Sequence, residues 1–295
     1  MTKIVSRIFG GLGNQLFCYA AARRLALVNN AELVLDDVSG FAYEPSYHRH
    51  YQLDHFNIHC RKATATERLE PLSRLRRYFK RRWNQQKCFT QRAYLVQEGV
   101  EFDQRLLYLK PNGTIYLEGY WQSEDYFKDV TNRLCVDLQI KPPTDATNLS
   151  MATKILSCTA VALHVRYFDD PNIGGISNTS NDYYARAIEI MERNTSCAHY
   201  FIFSDQPGAA RARIPLPDDR ITLVTHNQGD EFAFADLWLM TLCQNFIIAN
   251  STFSWWGAWL APYPSKLVIA PGVEMSKGKM RWGFKGLLPQ KWIKV

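Results

Sequence analysis

The stretch Phe246 to Ala261, FIIANSTFSWWGAWLA, constrains the fold more than any other part of the chain. Phe246-Ile247-Ile248-Ala249 is a short, partly β-branched apolar run, the pattern of a strand buried on both faces. The chain then turns polar at Asn250-Ser251-Thr252, with Ser254 following Phe253, and resumes as an apolar, aromatic segment, Trp255 to Leu260, which Pro262 and Pro264 stop. Strand, hydroxyl-rich turn and helix start together present backbone N–H groups and the positive end of a helix dipole to an anion. Asn, Ser and Thr are also ordinary N-caps, so a capped, buried helix without a ligand satisfies the same pattern. The tandem Trp255-Trp256 suggests a pocket wall beside the strand end.

The same alternation runs through the whole chain. Ile4 to Phe9 reads as a strand, followed at once by Gly10-Gly11-Leu12-Gly13-Asn14-Gln15 and a helical pattern from Leu16 to Val28. Strand, glycine-rich loop and helix open a doubly wound α/β domain, and glycines let a backbone approach a ligand where a Cβ would clash. GGLGNQ is neither GxGxxG nor a P-loop, so a plain tight turn is the competing reading. Leu33 to Leu35 reads as a second strand, Thr114 to Gly119 as another, and Tyr126 to Leu138 as a helix. Lys141-Pro142-Pro143-Thr144-Asp145 is the strongest linker signal, which puts a domain boundary between about 141 and 158. Beyond it the rhythm restarts, with strands at Thr159–Val165, Tyr200–Phe203, Ile221–Val224 and, last, Leu267–Ala270, and helices at Tyr183–Arg193 and Phe234–Gln244.

Length and composition narrow the class. At 295 residues and 46% hydrophobic content the chain is globular, with material for two domains. No apolar run approaches a membrane span and no secretory signal opens the chain, so a cytoplasmic protein is expected, one able to rest on the inner face of a membrane. Seven cysteines, none in Cys-x-x-Cys spacing, read as reduced core thiols. The net charge of +7 is concentrated between Arg61 and Arg92, where eleven Lys and Arg face two Glu. Within it Ser73 to Trp83, SRLRRYFKRRW, reads as a helix with Leu75, Tyr78, Phe79 and Trp83 roughly on one face. Arg and Lys cover the other face, so the helix either docks by its aromatic face or, as a basic amphipathic helix, meets anionic lipid, a phosphorylated acceptor or nucleic acid. No RNA-binding motif accompanies it, and no nucleic-acid partner is expected. Phe41 to Cys60 is rich in Tyr and His (Tyr43, Tyr47, His48, His50, Tyr51, His55, His59) without metal-ligand spacing, and reads as surface or acceptor contacts.

In an open parallel sheet, ligands collect at the carboxyl ends of the strands. Three strands of the second half end in polar residues: His164 with Arg166, Ser204 with Asp205, and Asn250 with Ser251 and Thr252. The first half adds Gly11, Gly13 and Asn14. Arg166 offers a planar fork for phosphate oxygens, Asp205 can accept from a guanine N–H edge, and the Ser251-Thr252 turn can hold a pyrophosphate. That set describes a nucleotide-diphosphate site. No Asp-x-Asp occurs, so a metal has no obvious anchor, and Arg with a helix N-terminus would stabilise the leaving group.

GGLGNQLFCYAAARRLA, HVRYFDD, YFIFSDQP and DLWLMTLCQNFIIANSTFSWWGAWLAP, in this order and spacing, resemble the α-1,2-fucosyltransferases of glycosyltransferase family 11. The resemblance implies an α/β GT-B fold: two facing Rossmann-like domains with parallel sheets and an inter-domain cleft. Residues 1–145 would form the acceptor-side domain and 146–295 the GDP-fucose-binding domain. It also implies inverting transfer of L-fucose from GDP-β-L-fucose to the 2-hydroxyl of a galactose, with no cofactor and no required metal. Carried onto this chain, Arg166 pairs with the β-phosphate and Asp169 is the candidate base. Gly11, Gly13, Asn14, Gln15, His164, Ser204, Asp205, Asn250, Ser251, Thr252, Phe253 and Ser254 contact the donor. The family's usual motif is His-x-Arg-Arg-Gly-Asp-Tyr. Here the first Arg is kept as Arg166, and Tyr167 stands where the second would be. Related readings are an α-1,6- or protein-O-fucosyltransferase and a non-catalytic GDP-sugar-binding protein.

Overall fold

A computed structural model describes residues 2–42, 49–170, 177–277 and 280–295, and side chains in all of these except 275–277 and 280. Tyr43, Tyr47 and His48 lie outside the described residues. The chain forms two compact units, 1–139 with 285–287, and 140–284 with 288–295.

The first unit carries β1 (Lys3–Arg7), α1 (Leu12–Val28), β2 (Glu32–Asp36), β3 (Arg61–Lys62), α2 (Ser73–Gln85), β4 (Tyr94–Val96), β5 (Thr114–Glu118) and α3 (Thr131–Asp137). Its described strands form one parallel sheet in the order β3-β2-β1-β5-β4. Helix α1 begins inside the glycine segment, earlier than the expected Leu16. Gly11 is its N-cap, and the N–H groups of Asn14 and Gln15 donate to the Gly11 carbonyl. The helix expected over Tyr126 to Leu138 is broken into two 3-10 turns and the seven-residue α3. Strands β3 and β4 escape the sequence reading because two- and three-residue strands carry no period.

The second unit carries α4 (Ala146–Leu156), β6 (Thr159–Val165), α5 (Asn181–Asn194), β7 (Ala198–Ser204), α6 (Pro207–Arg213), β8 (Ile221–Val224), α7 (Ala233–Thr241), β9 (Asn245–Ile247), α8 (Thr252–Leu260), β10 (Val268–Ala270), β11 (Met275–Lys277), β12 (Met280–Trp282) and β13 (Ile293–Lys294). The sheet order is β13-β10-β9-β6-β7-β8, all parallel, while β11 and β12 form an antiparallel pair. Val268–Ala270 is therefore not the last strand. The linker signal Lys141 to Asp145 lies in neither helix nor strand and leads directly into α4, which Asp145 caps by accepting from the Asn148 N–H at 2.9 Å.

Residues of β6 alternate between two covers. Val161, Leu163 and Val165 pack into a core with Tyr183, Tyr184, Ala187 and Met191 of α5. His164 points to the other side, toward Ser254 in α8. Trp255 and Trp256 are fully buried, ring against ring at 5.0 Å, and Trp255 meets Trp292 at 5.4 Å. They are core, not the pocket wall expected, and burying side chains of this size stabilises by roughly 2–3 kcal/mol each. Gly257 lets α8 lie close to α7, since a Cβ there would sit 3.1 Å from the Met240 Cε. Of the free cysteines only Cys18 and Cys243 are buried, so the core-thiol expectation holds for those two.

Candidate active site

The register of the second sheet brings three polar strand ends side by side. β6 lies between β9 and β7, with Leu163 opposite Ile247 and Val165 opposite Ser204. The residues just past those positions are Arg166, Asp205 and the Asn250-Ser251-Thr252 turn.

Arg166 Nη1 meets Asp205 Oδ2 at 3.0 Å, with the two side chains 25% and 29% exposed. The second Asp205 oxygen accepts the Tyr167 backbone N–H at 3.2 Å. Asp205 thus grips the exit of β6 at two points and fixes the direction of the guanidinium, which also lies 5.6 Å from the Phe168 ring centroid. A partly exposed guanidinium at the carboxyl edge of a parallel sheet is chemically able to pair with phosphate oxygens.

Ser251 caps α8 through its hydroxyl, which accepts from the Phe253 N–H, and its carbonyl accepts from the Trp255 N–H. Asn250 is buried and works internally: its Oδ1 accepts from Thr179 Oγ1 at 3.0 Å and its Nδ2 donates to the Ser177 carbonyl at 2.8 Å. It ties the turn before α8 to the segment before α5, so it shapes the turn from within.

His164 is 5% exposed, with Nδ1 at 2.9 Å from Ser254 Oγ and the Phe253 ring 5.6 Å away. The Ser254 hydroxyl in turn donates to the Ser251 carbonyl at 3.3 Å, which puts the hydrogen of the neutral ring on Nδ1. Burial, and secondarily the Arg166 charge, lowers the His164 pKa to about 3. At neutral pH His164 is an uncharged strut between β6 and the first turn of α8. Ser204 accepts from the Gln206 N–H and shapes the turn after β7.

Asp169 belongs to a clip beyond Arg166. Its Oδ2 accepts the Ser177 N–H at 3.1 Å, its carbonyl accepts from Asn178 Nδ2, and Asn178 Oδ1 takes the N–H groups of Phe168 and Asp169. Tyr167 is buried, and its hydroxyl has no hydrogen-bond partner among the described residues. Over its ring lies Arg213 of α6, with Cζ 5.4 Å from both the Tyr167 and Tyr184 centroids, and bonded to Asn181 Oδ1 and the Thr179 carbonyl. The sequence reading missed Arg213, Asn178 and Thr179. Nothing in PGAARAR, a seven-residue helix with Pro in its first turn, marks Arg213 as a neighbour of Tyr167.

In the first unit Gly10 has φ +77°, and a Cβ there would meet the Tyr120 hydroxyl at 2.9 Å. The Asn14 amide oxygen accepts from Gln122 Nε2 at 2.8 Å. Gln15 is fully buried: its Nε2 donates to the Gly10 and His50 carbonyls and its Oε1 accepts the Gln52 N–H. It braces the loop from inside, and Gly13 is buried in the first turn of α1. Among the described residues no group of three His, Cys, Asp or Glu could hold a metal, and no helix is long and apolar enough to cross a membrane.

Two Rossmann-like units with parallel sheets, the second carrying an arginine and a capped helix start at its strand ends, make this an α/β protein of the GT-B class. Residues 74–279 match the family model Glycosyl transferase family 11, and the chain belongs to that family of glycosyltransferases. It is 27% identical to an α-1,2-colitosyltransferase of Escherichia coli, over 100% of this chain and 99% of that protein. It is also 27% identical to the O-antigen biosynthesis glycosyltransferase WbnK of Escherichia coli, over 90% and 93%. Among solved structures it resembles fucosyltransferase NodZ from Bradyrhizobium (TM-score 0.53, 14% identity, 88% and 93% covered). It also resembles a mutant of Arabidopsis thaliana FUT1 in complex with GDP (TM-score 0.53, 15% identity, 98% and 74% covered).

Proposed function

We propose that the chain transfers L-fucose from GDP-β-L-fucose to the 2-hydroxyl of a galactose in an oligosaccharide or lipid-linked glycan. The transfer inverts the anomeric centre and gives an α-1,2 linkage. The observation that carries this reading is the placement of Arg166, aimed by Asp205, on the strand next to the capped start of α8. A fixed guanidinium and a helix N-terminus stabilise the negative charge that grows on a nucleoside diphosphate as the C1–O bond breaks, and they do so without a divalent ion. Support also comes from NodZ, an α-1,6-fucosyltransferase solved after soaking with GDP-fucose, and from the α-1,2 linkage in the name of the colitosyl relative.

In this mechanism Arg166 pairs with the β-phosphate, and Ser251 and Thr252 hold the pyrophosphate. His164, neutral, stands at the guanosine end, while Asn250 and Ser254 keep the turn in shape. Asp169 takes the proton from the acceptor hydroxyl as it attacks. Asp205 has both oxygens engaged by the β6 exit, so its contribution here is to hold the fork in register for the phosphate.

The test is release of GDP from GDP-fucose with and without a β-galactoside. Release that rises strongly with the galactoside, with an α-1,2-fucosylated product, supports the proposal. Binding without release would make the chain a sensor. An activated colitosyl donor is the second reading, favoured by the relative that spans the whole chain. Side-by-side turnover of the two donors decides between them.

A further inference from the structure

Helix α2 is turned opposite to an ordinary surface helix. The polar side chains Arg77 and Asn84 are buried, and Arg81 pairs with Glu118 at the end of β5. Glu118 also takes Arg7 Nη1 at 2.8 Å and the Tyr94 hydroxyl at 2.5 Å. Burial pushes its carboxyl up, and Arg7, Tyr94 and Arg81 more than offset that, leaving it below its ordinary value. Asn84 Oδ1 accepts the N–H groups of Ala93 and Tyr94. This buried acid and the amide sites beside β4 hold the polar face inward. The apolar face consequently looks out: Leu75 is 51% exposed, Phe79 59% and Trp83 69%, with Tyr78 and the preceding Leu72 exposed alongside. At 100° per residue these side chains share one arc, with Arg82 inside it and Arg74, Arg76 and Lys80 along its edges. No Asp or Glu occurs between Glu70 and Glu98.

We propose that α2 docks this protein on an anionic lipid surface. Leu72, Leu75, Phe79 and Trp83 sink among the headgroups, and Arg74, Arg76, Lys80 and Arg82 lie against lipid phosphates. Exposed aromatic and aliphatic side chains rimmed by cations are what an interfacial helix requires: apolar burial for affinity, charge for attraction. Charge complementarity selects this occupant. In a twofold contact with a second copy the same four cations would face their own kind. The docking is independent of the donor reading, because none of these residues belongs to the strand-end site.

The experiment is co-sedimentation of the full chain with vesicles of phosphatidylglycerol and phosphatidylcholine, against phosphatidylcholine alone. Thermal melts confirm that each variant is folded. Wild type sediments with the anionic vesicles only. The double variant Phe79→Ser/Trp83→Ser and the triple variant Arg74→Gln/Arg76→Gln/Arg82→Gln each partition at least about tenfold less, since apolar insertion and phosphate attraction both contribute. Failure of wild type to bind would overturn the proposal. So would unchanged binding by the Ser variant, which would mark a bare charge patch of the kind that also binds RNA. A wild-type dimer in ultracentrifugation that the Ser variant dissociates would overturn it as well.

Discussion

Arg166 and Asp205 form an ion pair at 3.0 Å across the ends of two adjacent parallel strands, and the same carboxylate accepts the N–H of Tyr167. The chain folds so that Arg166 is already aimed when a ligand arrives. Removing the aiming group should therefore cost binding more than stability. Asp205→Asn is expected to weaken GDP binding by about three- to tenfold in calorimetric titration, while Tm moves by no more than about 2 °C, because a pair this exposed contributes about 1 kcal/mol or less. A large fall in Tm with unchanged GDP affinity would make the pair structural.

The glycine loop separates shape from contact. Gly10 needs its left-handed φ of +77° and has the Tyr120 hydroxyl where a Cβ would go. Gly10→Ala should destabilise by about 1–2 kcal/mol, read as a lower Tm. Gly11 has φ −68°, and the nearest described neighbour of its Cβ position is the Arg49 side chain, at an ordinary 3.7 Å. Gly11→Ala should leave Tm nearly unchanged yet lower turnover by about tenfold, if a ligand approaches this backbone as closely as a glycine permits. Unchanged turnover would reduce Gly11 to a turn residue.

The buried His164 and the half-buried Asp236 give the pH dependence of stability opposite signs. His164 titrates at about 3 in the fold against an ordinary 6.5, so the unfolded chain binds more protons between those values and stability rises with pH there. His199 and His226 are also lowered by burial and act in the same direction. Asp236, raised by burial to about 7 despite the 2.8 Å hydrogen bond from Asn227, does the reverse. Its contribution is full below the ordinary aspartate range and is lost as pH climbs to about 7. Asp236→Asn removes that loss. In scanning calorimetry the variant should gain on wild type steadily from about pH 4 to about pH 7 and run parallel above it. Profiles that stay parallel throughout would place Asp236 in water.

Much of the second unit was legible because its central strands are buried on both faces. TAVALHV, YFIF and FIIA read as continuous apolar runs, and the residues that end them are the ones the register sets side by side. What could not be read depends on distant partners. Helix α4, ATNLSMATKIL, is rich in Ser, Thr and Asn, which favour caps and turns over helix interiors, and it forms against α7. The outward turn of α2 is decided by Glu118, more than thirty residues on, which draws Arg81 inward. Periodicity shows that α2 has two faces but not which one a buried carboxylate will claim. Arg213 reaches Tyr167 from a helix too short to show a pattern.

The most direct measurement is turnover of GDP-fucose by Arg166→Lys. Lysine keeps the charge but loses the planar fork, so kcat/KM should fall by about a hundredfold or more, with Tm close to wild type. A variant that stays within about threefold of wild type would contradict the assignment of the leaving diphosphate to this guanidinium.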